Sequence, residues 1–214
     1  MNEKEQSLQE LQQIKKMMER SSKFISLSGL SGISAGVCAL IGAWVASQKL
    51  NTTLITYSHP VNNVERTLQN DLFIIALLTF FAAFITSFLF TYIRSGKNGT
   101  TLWGTTTLRL FWNMVIPLFA GGLFLIRSMQ LGQYELIASG CLIFYGLALV
   151  NASKYTLGEV RYLGYGQIIL GIINLWIIGY GLYFWVAGFG LLHIVYGILM
   201  WYKYERNNRI NDEQ

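Results

Sequence analysis

Apolar runs of about 18 to 25 residues recur along this chain, the length a helix needs to cross roughly 30 Å of hydrocarbon. No other feature restricts the fold so strongly, because in lipid every backbone N–H and C=O must be satisfied within the segment or its sheet. Six runs stand out, over residues 24–47, 71–93, a third from about Leu108, 134–153, 162–179 and 182–202. None alternates apolar and polar residues every second position, as the strands of a membrane barrel do. Charge agrees with this reading, since 13% of the 214 residues are charged against about 25% in a soluble domain. The expected fold is all-α: a polytopic membrane protein with six transmembrane helices, preceded by an amphipathic N-terminal helix, both termini cytoplasmic. Its divisions are an interfacial or cytoplasmic helix over 1–22, a membrane domain over 23–203 and a cytoplasmic tail over 204–214.

In the leader, Leu8, Leu11, Ile14 and Met18 recur at spacings of three and four, which predicts one amphipathic helix. Lys15, Lys16, Arg20 and Lys23 suit an anionic lipid surface, and a protein partner is the other reading. The first span is too long and too charged at its start for a signal peptide, so it is expected to remain as an anchor. Gly29, Gly32, Gly36, Ala39, Ala43 and Ala46 draw a small-residue stripe along it, where another backbone should pack closely. Residues 48–70, with His59-Pro60, read as a long polar loop. The Phe- and Leu-rich second span suits lipid exposure. Pro117 predicts a kink near Asn113 in the third span. The last two spans have almost no loop between them and should be antiparallel neighbours.

The formal charge of +5 does not point to nucleic acid, because the basic residues sit at the ends of apolar segments. With six spans and both termini on one side, thirteen Lys and Arg fall on that side and only Lys49, Arg66 and Arg127 on the other. This bias places the termini in the cytoplasm.

Within the spans, Gly164, Gln167, Gly171 and Asn174 follow one another by three, four and three residues, a seam that faces another helix. Its amides either hydrogen-bond across helices, their commoner use, or line a solute path with Asn113 and His193. Mid-membrane histidine serves proton relays, ligand contacts or a structural hydrogen bond. These four, Asn113, Gln167, Asn174 and His193, form the candidate polar intramembrane site. A second candidate is a charge cluster at the cytoplasmic face, Arg109, Lys154, Glu159 and Arg161, in which Glu159 is expected to pair with Arg109. Cys38 and Cys141 lack metal or disulfide spacing and read as packing residues. There is no GxSxG, HExxH or Gly-rich phosphate loop and no interior carboxylate, so no catalytic residue, metal or cofactor is expected. A faint echo of residues 120–123 in 187–191 is what inverted three-helix halves would leave.

As a set, residues 142–156, 159–164 and 188–197, with Ile116-Pro117 and Gly121-Gly122, resemble an uncharacterised six-helix inner-membrane protein family of Bacteroidota. The resemblance covers roughly residues 20–206. It implies a place in a bacterial inner membrane and supplies no catalytic residues.

Three functions are open to such a chain. The leading one is a non-enzymatic sensor or regulatory partner, meeting a cytoplasmic protein or a second copy through its basic loops and leader. The second is a small-solute carrier or channel acting as an oligomer. The third is a membrane-embedded enzyme acting on lipid, which requires the cytoplasmic charge cluster to form a headgroup pocket. Burial separates the first two, since a path needs its polar groups to converge on a water-filled cavity.

Overall fold

The computed structural model describes residues 28–56, 62–97 and 104–206, and every regular element among them is helical. Five helices are α1 (Gly29–Thr56), α2 (Asn62–Lys97), α3 (Thr105–Gln130), α4 (Glu135–Ala152) and α5 (Val160–Trp176). The sixth, α6, is a continuous rod over residues 181–206, in which π-helical Val186–Leu192 joins Gly181–Trp185 to His193–Trp201 and a second π turn, Tyr202–Arg206, follows. Five helices are long and apolar enough to cross a membrane: α1 to α4 and α6. The predicted leader helix over 1–22 lies outside the described residues, as do the first residues of the first span, His59-Pro60 and the tail beyond Arg206.

Packing follows the small residues. The glycine end of the α1 stripe seats α6: a Cβ on Gly32 would stand 3.1 Å from Gly197 Cα, and one on Gly36 2.7 Å from the Gly190 carbonyl. Backbone therefore meets backbone, and dispersion gains from close contact where a larger residue would hold the helices apart. The α5 seam packs on α4 in the same way. A Cβ on Gly164 would lie 2.8 Å from the Gly146 carbonyl, and one on Gly146 2.7 Å from the Gly164 carbonyl. Gly164, Gln167, Gly171 and Asn174 are all buried, as the spacing predicts. The core is thus α1, α4, α5 and α6, with an apolar cluster of Leu149, Leu157, Val160, Leu163 and Met200 at one end.

The other two helices are peripheral. Along α2, packed on α1, Ser87 Oγ donates to the Ser31 carbonyl (3.0 Å) and Cys38 Sγ approaches Thr86 Oγ1 (3.8 Å). Its outer face stacks Phe80, Phe84, Phe88 and Tyr92, with ring centroids 6.3 to 6.5 Å apart, and all four are exposed. Such a face is stable only against lipid or another apolar surface. On the far side α3 rests on α4, where Gly121 admits Phe144.

Several expectations need correction. Residues 48–70 are mostly helix, because α1 runs on to Thr56 and α2 begins at Asn62. Polar residues continue a helix readily once it leaves hydrocarbon, and Lys49 and Asp71 pair across the two extensions at 2.7 Å. The fifth span is shorter than residues 162–179: α5 stops at Trp176, where Ile177 leaves helical geometry (φ −110°, ψ 80°). Gly179, at φ +87°, then turns the chain into α6 in a conformation that only glycine adopts without strain.

Candidate functional site

The interior polar groups gather where α4, α5 and α6 meet. Gly188 lies in the π segment of α6, too close to α5 to carry a side chain: a Cβ there would strike Leu142 Cδ2 and lie 2.6 Å from Gln167 Oε1. Its carbonyl receives two side chains. Gln167 Nε2 donates to it at 2.9 Å, and His193 Nδ1 stands 3.0 Å from the same oxygen. A carbonyl only accepts, so the proton of His193 is on Nδ1. Nε2 is therefore the acceptor, and the Tyr145 hydroxyl donates to it at 2.9 Å. The 3.4 Å approach of Gln167 Nε2 to His193 Nδ1 is then two donors converging on one oxygen rather than a bond between them.

The π segment is what makes this arrangement possible. A π turn is wider than an α turn, and such turns are commonest at functional sites. The histidine ring is packed on both sides, with Tyr145 at 5.5 Å and Phe189 at 6.1 Å between centroids, both stacked. Gln167 is 0% and His193 5% exposed, so the network lies largely inside the packed helices. Gln167 Oε1 has no N–H or O–H partner, but it faces a Cα–H of Gly188, a weak donor. Each bond of this kind between membrane helices is worth about 0.6 to 2 kcal/mol.

The four residues expected to share a polar site do not converge. Gln167 and His193 meet at Gly188. Asn174, two turns along α5 from Gln167, is buried with Nδ2 unpartnered among the described residues. Asn113 belongs to α3, which packs chiefly on α4, and its Nδ2 donates to the Arg109 carbonyl of its own helix at 2.8 Å. Its amide thus spends its hydrogen bond locally. Tyr145 was missed by the sequence reading. Only its place three residues after Leu142, on the face of α4 that meets α5 and α6, marks it out.

The expected charge cluster also resolves differently. Glu159 accepts from Lys203 Nζ and, at 2.8 Å, from the Tyr204 hydroxyl, both on α6. The expected partner Arg109 is exposed on α3, whose main packing is against α4 rather than α5. Arg161 lies over the ring of Tyr162 at 5.6 Å, and Lys154 is exposed. Among the described residues no hydrogen bond or ion pair joins any two of Arg109, Lys154, Glu159 and Arg161. Burial alone would raise the Glu159 pKa, but the hydrogen bonds from Lys203 and Tyr204 outweigh it and hold the carboxyl below its ordinary value. The pair ties the start of α5 to the end of α6, a position whose interaction sequence spacing could not reveal.

At the opposite end, a cleft of about 330 Å³ opens between α1, α2, α4 and the first turn of α6. It is lined by Gly42, Ala46, Ala76, Ala138, Gly181 and Trp185 among others, and by none of the four interior polar candidates. Among the described residues no three His, Cys, Asp or Glu side chains gather as a metal site would require. Comparison with protein-family models, curated proteins and solved structures finds no match.

Proposed function

We propose that this chain is a bacterial inner-membrane protein that acts by recognition rather than by conduction or catalysis, as a sensor or regulatory partner. One observation carries the reading: Gln167 and His193, the two interior polar candidates that meet, do so on the Gly188 carbonyl between packed helices, and the cleft is lined by other, mostly apolar residues. A solute path would need polar groups facing an aqueous cavity.

In this reading α5 is the sixth crossing. Its 17 residues span about 25 Å at 1.5 Å per residue, and Ile177 and Ile178 extend the apolar stretch. Six crossings put both termini in the cytoplasm, where the basic residues concentrate. The lipid-headgroup enzyme is the least supported alternative, because Glu159 is engaged by Lys203 and Tyr204 and the cluster residues are dispersed. A cytoplasmic protein or a second copy is the partner, meeting the basic loops and the leader.

The test is flux. Purified protein in liposomes should pass no ion or small solute faster than empty liposomes, with His193→Ala and Asn113→Ala indistinguishable from wild type. Flux that falls in His193→Ala would establish the carrier in place of this reading. A photocrosslinker replacing exposed Arg109 or Lys154, used in native membranes, should give a discrete protein adduct.

A further inference from the structure

The cleft is concave, and its shape is particular. Along α2 the lining runs from Gln69 to Thr79 and along α1 from Leu50 back to Gly42. At 1.5 Å per residue these are depths of about 15 and 12 Å. The cleft is open along part of its side, and its volume of about 330 Å³ is at the small end of the range for ligand sites.

The two ends differ. At the Gly42 end α1 and α2 come together, because Gly42 lies directly against the Thr79 side chain, whose hydroxyl is already bonded to the Ile75 carbonyl at 2.7 Å. At the other end stand the polar groups: the Tyr134 hydroxyl donates to Gln69 Oε1 at 2.7 Å, and Lys49 pairs with Asp71. Between the ends, small residues on four helices make the room. The α1 stripe thus has two roles. Its glycines bring α6 into contact, and its alanines Ala43 and Ala46 face the cleft, where contact between α1 and α6 thins toward Gly181–Trp185.

We infer that this cleft binds a single acyl chain of a membrane phospholipid, its terminal methyl at the Gly42–Thr79 end and its headgroup at the Gln69–Tyr134 end. A slot that is apolar along most of its length and has its hydrogen-bonded polar pair at one mouth matches an amphiphile of that form, and apolar walls with few polar groups are typical of ligand sites of this volume. The inference stands whether or not the chain regulates another protein.

Labelling decides it. The protein is placed in nanodiscs doped with a phospholipid carrying a diazirine on the last carbon of one chain, irradiated and digested. Adducts should concentrate on peptides containing Ala43 and Ala76, at least about tenfold above those at Phe84 and Phe88 on the outer face of α2. Gly181→Leu and Ala46→Phe each project into the slot, and at Gly181 a new Cβ would meet only Ala138 Cβ, at 3.1 Å. Either variant should remove the excess while leaving outer-face labelling unchanged. A diazirine placed next to the glycerol should instead mark peptides containing Gln69 and Tyr134. Labelling at Ala43 and Ala76 no stronger than at Phe84, or an excess unchanged in both variants, overturns the inference. The wild-type adduct map alone is decisive should a variant fail to fold.

Discussion

Replacing Gly164 by alanine tests the physical basis of the α4–α5 pair. The new Cβ would lie 2.8 Å from the Gly146 carbonyl oxygen and Val150 Cγ2, and 3.0 Å from Val150 N. Two of these three atoms are backbone, so no side-chain rotation relieves the clash. Reaching ordinary contact at about 3.5 Å requires the helices to part by roughly 0.7 Å, which forfeits a quarter to a half of the dispersion well over the surrounding contacts. Overpacking of this kind costs about 1 to 3 kcal/mol. For a chain of this size that lowers the thermal midpoint by about 3 to 10 °C. The control is Gly122→Ala on α3, where a Cβ meets nothing within 4 Å and alanine is the better helix former by about 1 kcal/mol. Thermal unfolding of both variants in one detergent, followed by tryptophan fluorescence, makes the comparison. Gly146→Ala combined with Gly164→Ala should cost less than the sum of the two, since one separation accommodates both. If Gly164→Ala proves as stable as Gly122→Ala, the backbone-contact account of α4 and α5 is wrong.

The hydrogen-bond pattern at Gly188 requires His193 to be protonated on Nδ1 and not on Nε2, which 15N NMR of the imidazole at neutral pH reads directly; the opposite tautomer would contradict it. Tyr145→Phe leaves Nε2 without a donor and should cost about 0.5 to 2 kcal/mol in SDS unfolding titrations. Glu159 has a folded-state pKa below its unfolded value of about 4.3. Its stabilisation is therefore fully present above that value and lost as pH falls through the lowered folded one. Glu159→Gln should flatten the midpoint-against-pH curve on the acid side only, and by little, because the pair is largely exposed and screened. A double-mutant cycle should show coupling of Glu159 to Lys203 and none to Arg109; coupling to Arg109 would restore the pairing expected from topology.

Much of the architecture was legible in the sequence because hydrocarbon is so restrictive a solvent. Run lengths marked the helices, the stripe from Gly29 to Gly36 marked where α6 docks, and the aromatic content of α2 marked an outer face. The seam at Gly164, Gln167, Gly171 and Asn174 was legible for the same reason, since small residues at helical spacing mean close approach whatever the partner. Helix ends were less legible. Polarity announces departure from the membrane but not the end of the helix, so residues 48–70 read as loop where α1 and α2 continue.

The sequence by itself determined the small-residue faces of α1 and α5, because periodicity is a property of one helix alone. Only the tertiary structure decided which inward residues meet. Asn113 and His193 carry the same mid-span signature, yet Asn113 bonds its own helix and His193 joins Tyr145, Gln167 and Gly188 across three. Glu159 was expected to pair with Arg109, and the packing of α5 against α6 gave it Lys203 instead. The cleft had no sequence signal at all, because alanines and glycines that close one interface leave a gap at another, and which occurs depends on how far neighbouring helices diverge.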